Sequence, residues 1–423
     1  MKIFNNKISA YILLNVIDFL VYPLFMIVSA PLIMSIFGDV GYGFWVIVLA
    51  LLALANLFNL GISNASLQYI NRKEISPSNV NKVIWSLIAS SCIATIFIVG
   101  MAMYNNQDIV LNSKYGITQG SLMIIILVLI CEQYDCQNGA LLKANDRIRT
   151  NSTIDIIAKL FMYSLGLFVV YSTKNMSGFV IVVFITFLFK IIIKRRFLNF
   201  IKHSHLHKST TLSKVNIKEY LLTAMGFFFM AFNGFALVIG ERFFLSNMYP
   251  LDDIGKIALG SQIIFFIHSV PAAGMSFLLP LLSSGSHKVK TLNMIIINIV
   301  LSVLMLSIVL TFIEFGGLEL WLGRDDLIIK EVVYGLLFPV FLYSLCITPY
   351  YFTMSDKKGF ILSILMLIVS ISFLLSVYIL RESFTDIESF IRIKYIYIIA
   401  LTGVIYGLFF YQKVIKKEFI SSS

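Results

Sequence analysis

Asp18, Glu132, Asp135, Lys159, Glu241 and Arg242 stand inside runs of some twenty otherwise apolar residues. A charge at the centre of a bilayer costs about 2.5–3.5 kcal/mol on even the mildest scale, so such residues are kept for binding, for ion movement or to neutralise one another. The acids can exchange a proton or hold a cation. Lys159 and Arg242 can hold an anion, and read from hydropathy they are the two cations within the apolar runs. Amides and phenols beside them can bind hydroxyls. On the first run Tyr11, Asn15, Asp18, Tyr22 and Ser29 recur at three-, four- and seven-residue spacing, which makes one polar stripe on a helix. The second run adds Asn56, Asn59 and Asn64. The fourth carries Glu132 and Asp135 three residues apart, with Gln133, Gln137 and Asn138 beside them, and the fifth carries Lys159.

Depth decides which of these can meet. Asp18, Asp135 and Lys159 each lie four or five residues to the inner side of their run's centre, roughly 6–8 Å at the helical rise. Asp135 and Lys159 can therefore share a cavity, or simply neutralise each other between neighbouring helices. Asp18 has no cation within one turn of its own helix. It either exchanges a proton or hydrogen-bonds Tyr and Asn neighbours. Glu241 and Arg242 fall about 13 Å outward of centre. Adjacent helical residues point about 100° apart, so the two are not expected to face one partner, and Arg242 can snorkel to the headgroups.

Other reactive residue types read as structural. His268 stands three residues before Pro271 and is expected to pack, hydrogen-bonded, beside a kink. His203, His205 and His207 lie in a basic loop without carboxylate or thiol, which predicts no metal site. Cys92, Cys131, Cys136 and Cys346 all sit in apolar runs and read as small buried hydrophobes. There is no phosphate-cradling glycine loop, H-E-x-x-H motif or nucleophile elbow, so neither an enzyme nor a cofactor is expected.

The elements that position these residues follow from composition. The 423 residues are 59% hydrophobic and 13% charged, with a mean hydropathy of +0.89. A soluble chain would be roughly a quarter charged. The apolar runs are 10–37, 43–64, 83–104, 119–142, 154–173, 177–194, 219–246, 256–281, 291–314, 331–353, 359–380 and 393–413, each long enough to cross ~30 Å of hydrocarbon. The first follows Lys2 and Lys7 as a signal peptide would, but its length and Asp18 predict an uncleaved span. Between the sixth and seventh runs lies the basic stretch holding Lys190, Lys194, Arg195, Arg196, Lys202, Lys208, Lys214 and Lys218. The net charge of +11 is spread over short loops, which argues against a nucleic-acid partner. With both termini inside, twenty-three lysines and arginines fall on the inner side. Eight, Lys394 among them, fall on the outer side. That bias predicts twelve spans, cytoplasmic termini and a cytoplasmic central loop. The expected organisation is a six-helix bundle over 1–200, a basic linker over 201–218 and a second six-helix bundle over 219–423.

The halves repeat faintly. Ala144-Asn145-Asp146-Arg147 ends the fourth run and Met354-Ser355-Asp356-Lys357 the tenth, while Val40-Gly41 has its counterpart in Ile254-Gly255. Two six-helix repeats of like orientation are a transporter arrangement, with the substrate site between them.

The opening Asn15…Pro31…Phe37-Gly38-Asp39-Val40-Gly41-Tyr42-Gly43-Phe44-Trp45, followed by Asn59-Leu60-Gly61-Ile62, resembles the start of polysaccharide flippases of the MOP (MATE-like) superfamily. Leu142-Lys143-Ala144-Asn145-Asp146-Arg147, Gly240-Glu241-Arg242 and Pro280 also match. The closest group is the Wzx-type O-antigen flippases. The likeness in length, span count and loop character covers the whole chain. One departure is Glu241, where many relatives have Asp. The resemblance implies an all-α polytopic membrane protein with twelve transmembrane helices in two six-helix bundles around a V-shaped central cavity. It further implies movement of undecaprenyl-pyrophosphate-linked oligosaccharide across the bacterial inner membrane by alternating access, coupled to H+ or Na+.

On that reading Lys159 and Arg242 take the pyrophosphate, and Asn15, Tyr22 and Asn59 the sugars. Asp18, Glu132, Asp135 and Glu241 serve ion coupling. Membrane lipids, the polysaccharide polymerase and the chain-length regulator of lipopolysaccharide assembly are the expected partners. Three alternatives stay open. A multidrug antiporter of the superfamily would want an acidic cavity, which Asp18, Glu132 and Asp135 would suit. Lipid II flippases of the superfamily typically have fourteen spans. A membrane enzyme of polysaccharide assembly would usually carry a large outer loop.

Overall fold

A computed structural model describes residues 6–71, 92, 96, 119–145, 147–204, 217–236, 240–246, 248–275, 278, 291–354, 359–380 and 386–421. Every regular element among them is helical, and nine helices there are long and apolar enough to cross a membrane. The third expected span, 83–104, lies outside the described residues apart from Cys92 and Ile96, as do His205, His207 and Pro280.

The first two expected spans form one element, α1 (Asn6–Phe58), broken only at Gly38, whose φ of 73° is open to glycine. A short outer loop was expected there; a single glycine turns the chain instead. The second break is sharper. Leu60 (φ 49°) and Gly61 (φ 71°) are both left-handed, and Asn59 restarts the helix as α2 (Ile62–Asn71). Its carbonyl takes the Ile62 amide at 3.0 Å, and its Oδ1 takes the Ser63 amide at 3.1 Å, so it reaches past Gly61 to satisfy first-turn donors of α2.

The chain continues as α3 (Gln119–Ala144), α4 (Ile148–Thr173) and α5 (Ser177–Ser204). Helix α5 runs ten residues past the predicted end of its span. Lys190 and Lys194, expected at the head of a solvated loop, are therefore helical and buried, while Arg195 and Arg196 are exposed. Next come α6 (Ile217–Phe235), the short α7 (Glu241–Leu245), α8 (Leu251–Met275) with Pro271 inside it, and α9 (Thr291–Glu314). Then follow α10 (Gly317–Leu322), α11 (Leu327–Leu345), α12 (Ile347–Met354), α13 (Gly359–Ile379) and α14 (Ile387–Ser421). Asp326 caps α11 by accepting from the Ile329 amide. Helix α14 begins six residues earlier than hydropathy suggests, so Lys394, counted with the outer-side cations, stands about two turns inside the helix.

The chain divides into two compact units, one of residues 24–231 and one of residues 1–23 with 232–423. Both boundaries fall inside helices, within α1 and within α6. In the first unit α3, α4 and α5 pack on one another and α2 packs on α3. Gly61 is the point of closest approach there. A Cβ on it would stand 2.1 Å from the Ala224 carbonyl oxygen and 2.6 Å from the Phe227 Cβ. Tyr42, Phe44, Trp45 and Phe179 are all buried, and the Phe179 ring meets the Trp45 indole edge-on at 4.6 Å. In the second unit α8 packs on α11, and α14 packs on both α11 and α13.

Candidate functional site

Each unit holds a buried ionic cluster. In the unit of residues 24–231, three helices contribute two ionisable residues apiece, each pair about one turn apart. These are Glu132 and Asp135 on α3, Asp155 and Lys159 on α4, and Lys190 and Lys194 on α5. Lys190 Nζ lies 2.6 Å from Asp135 Oδ2 and 3.0 Å from Asp155 Oδ1. Lys194 Nζ lies 2.8 Å from Asp135 Oδ1 and 2.8 Å from Asp155 Oδ1. Each ammonium is thus shared by both carboxylates. Asn151 Nδ2 donates to Asp155 Oδ2 at 2.8 Å. Gly139 makes room: a Cβ there would sit 2.9 Å from Asn151 Oδ1 and 3.4 Å from Lys194 Nζ. Carboxylates removed from water need this double compensation.

Asp135 is therefore compensated by Lys190 and Lys194, not by Lys159 alone. Glu132 feels Lys190 and, more weakly, Lys159. Lys159 and Arg242 are also not the only cations within the helices. Lys190, Lys194 and Lys394 are buried as well, because carboxylates on neighbouring helices hold them. The spacing of Lys190 and Lys194 at i, i+4 in an otherwise apolar run was a readable sign. Asp155, one turn before Lys159, offered none beyond its position.

The second cluster lies in the unit of residues 1–23 and 232–423. Lys394 Nζ donates to Glu241 Oε1 at 2.5 Å and to Ser261 Oγ at 3.1 Å. It also lies 5.3 Å from the Phe265 ring centroid and 5.8 Å from that of Phe390. Neither side chain of the pair is more than 1% exposed. Arg242 is buried too, so it does not reach outward as expected. It hydrogen-bonds Tyr22 on α1, and its Nε, like Glu241 Oε2, is buried without a hydrogen-bond partner. Glu241 and Arg242 thus serve different partners, as their adjacency predicts.

One turn beyond Lys394, Tyr397 donates to Asn233 Oδ1 at 3.1 Å. Ser370 Oγ donates to the same oxygen at 2.8 Å. Asn233 Nδ2 donates to Tyr343 OH at 3.5 Å, and the Tyr343 ring stacks on His268 with centroids 4.4 Å apart. This polar core joins α6, α8, α11, α13 and α14. His268, half-buried and three residues before Pro271, packs on that ring, but its Nδ1 has no hydrogen-bond partner, where a hydrogen-bonded imidazole was expected.

The remaining predicted residues are placed as follows. Asp18 is half-buried on α1, one turn before Tyr22. The side chains of Tyr11, Asn15 and Asn56 lie outside the described residues. Asn59, besides satisfying first-turn donors of α2, donates from Nδ2 to Gln133 Oε1 at 3.2 Å. Among the described residues, no group of three or more His, Cys, Asp or Glu could hold a metal.

No protein-family model matches the sequence, and no curated protein matches it. Solved structures do match along nearly the full length. A MATE protein in a bent conformation aligns with a TM-score of 0.66 at 12% identity, over 98% of this chain and 96% of that one. A multidrug-resistance MATE family transporter of the MOP superfamily, outward-facing, gives 0.62 at 12% identity over 98% and 96%. A MOP superfamily transporter from Pyrococcus furiosus, described as having a binding pocket of reverse polarity that suggests a different function, gives 0.59 at 13% identity over 96% and 94%. The chain is an all-α, multi-pass membrane protein with the MATE-like fold of MOP transporters.

Proposed function

We propose that the protein is a flippase that moves an undecaprenyl-pyrophosphate-linked oligosaccharide from the cytoplasmic to the periplasmic leaflet of the bacterial inner membrane by alternating access. The transporter fold of its solved neighbours supports movement across a membrane. The observation that carries the substrate class is how the buried acids are compensated. Asp135 and Asp155 are held by Lys190 and Lys194, and Glu241 by Lys394. Arg242, next to Glu241 in sequence, hydrogen-bonds Tyr22 and has a buried Nε that lacks a partner. A cation carrier needs an acidic surplus in its cavity. These clusters lack one and suit an anionic headgroup instead, with amides and phenols left for sugar hydroxyls. A proton or sodium gradient would supply the drive, with Asp18, Glu132 and Glu241 as the acids available to it. The polymerase and chain-length regulator of the same pathway would then be its neighbours in the membrane.

The second reading is a cation-coupled multidrug antiporter, favoured by the multidrug MATE transporter among the solved neighbours. Purified protein in liposomes separates the two. A fluorescent polyprenyl-pyrophosphate oligosaccharide should become accessible in the opposite leaflet at a rate set by protein content. A lipophilic cationic dye under a pH gradient should not be extruded. Extrusion of the dye without movement of the lipid would replace the flippase reading with the antiporter.

A further inference from the structure

We propose that the quartet Asp135, Asp155, Lys190 and Lys194 is an anion-exchange site. A phosphate-bearing headgroup takes the two ammoniums from the two carboxylates, and the released carboxylates take up protons from the inner-side water. The inference rests on the flippase reading for the lipid attached to that headgroup, but the ionic chemistry stands by itself.

The geometry makes this exchange possible. Both lysines lie on one face of α5, one turn apart, and each touches both aspartates at 2.6–3.0 Å. Two ammoniums at that spacing match the several oxygens of a phosphate or pyrophosphate as well as they match two carboxylates. The site is not sealed, since the Lys190 and Asp155 side chains keep 10% and 15% exposure. From this level α3 and α5 run on to their ends at Ala144 and Ser204, and α4 begins at Ile148, about two turns before Asp155. The half-buried Lys143 on α3 and the exposed Arg147 and Arg149 at the start of α4, roughly two turns from Asp135 and Asp155, form a basic collar with the exposed Arg195 and Arg196, which follow Lys194 directly on α5. An anion drawn to the collar by its charge meets Lys194 and Lys190 as the next cations along the bundle.

Displacement then forces the proton step. An ionised carboxylate stripped of its ammoniums in a water-poor bundle neutralises by binding a proton rather than staying charged. Among the described residues, the other ionisable groups facing the quartet are Glu132 and Cys136 on α3 and Lys159 on α4. Helix α2, packed on α3, carries no charged residue. When the anion leaves, the carboxylates recover the lysines and give the protons up. Each bound anion is thereby matched by protons without either touching the other.

The test is calorimetry on the full-length protein in nanodiscs, repeated in two buffers of different ionisation enthalpy so that bound protons can be counted. The probes are inorganic pyrophosphate, undecaprenyl pyrophosphate and phosphatidylglycerol. Undecaprenyl pyrophosphate should bind with uptake of about one to two protons, and phosphatidylglycerol with none. Lys190→Gln with Lys194→Gln should weaken binding at least tenfold. Asp135→Asn with Asp155→Asn should retain binding but abolish proton uptake. Binding of the native protein without proton uptake overturns the proposal and needs no variant. A fully neutral quadruple variant that still flips lipid at the native rate also overturns it, leaving the quartet a helix clamp. Inorganic pyrophosphate bound with proton uptake, while lipid-linked pyrophosphate is neither bound nor flipped, would keep the exchange site and remove the flippase. Flipping by the native protein without proton uptake would do the reverse.

Discussion

The Lys394 ammonium and the Glu241 carboxylate meet at 2.5 Å across 153 residues of sequence, and no more than 1% of either side chain is exposed. A buried pair of this kind is weak evidence of stability in itself, but removing one partner is severe. Lys394→Ala should therefore cost about 3–5 kcal/mol by leaving Glu241 uncompensated. The double variant Lys394→Met/Glu241→Gln should recover most of that loss. Thermal melting in detergent, followed by size-exclusion fluorescence, reads both. Equal destabilisation of the single and double variants would mean that the pair does not compensate itself.

Two left-handed glycines should respond differently to the same change. Gly61→Ala drives a methyl into the Ala224 carbonyl and Phe227, and the backbone cannot give way. A loss of about 2–5 kcal/mol is expected. Gly38 (φ 73°, ψ −177°) has nothing within 4 Å of the added carbon, so Gly38→Ala should cost ~1–3 kcal/mol of backbone strain without a clash. Melting temperatures that fall equally for the two would contradict the close approach at Gly61.

Topology follows from the distribution of lysine and arginine. Reporter fusions after Lys202 and at Ser423 should read cytoplasmic, and one after Asp253, at the start of α8, periplasmic. A periplasmic reading at Lys202 would invert the central region and with it the cytoplasmic assignment of the termini.

Ion coupling is tested at Asp18, half-buried on α1 one turn before the Tyr22 that meets Arg242. Asp18→Asn keeps shape and hydrogen bonding but cannot titrate. The variant should insert and bind substrate, yet flip it without response to an imposed pH gradient. Full retention of gradient-driven flipping would move coupling to another acid, with Glu132 next in line.

Hydropathy and charge made most of the helical organisation legible, because a run of about twenty apolar residues has few fates other than a membrane helix. Where the reading failed, the cause was compensation at a distance. Lys190, Lys194 and Lys394 looked like loop residues because a lysine is expensive in hydrocarbon. Their acids lie 35 to 153 residues away in sequence, and no local window contains both partners. Asn59 was legible as a polar residue in an apolar run, but its use in satisfying the first turn of α2 depends on the left-handed Leu60 and Gly61 after it. Glu241 and Arg242 were legible as a pair with divergent directions. Their burial was not, since it depends on Tyr22 and Lys394 from the two ends of the chain.

The spacing of these ion pairs bears on how the chain is made. At ~5–20 residues per second of synthesis, Asp155 waits about 2–8 s for Lys194, 39 residues later. Glu241 waits about 8–30 s for Lys394, 153 residues later. In both clusters the acid is synthesised first, and an acid can be carried into the bilayer protonated while a lysine would have to shed its proton. The order of charges along the gene product is thus the one in which each unpaired partner can wait in neutral form for the residue that completes it.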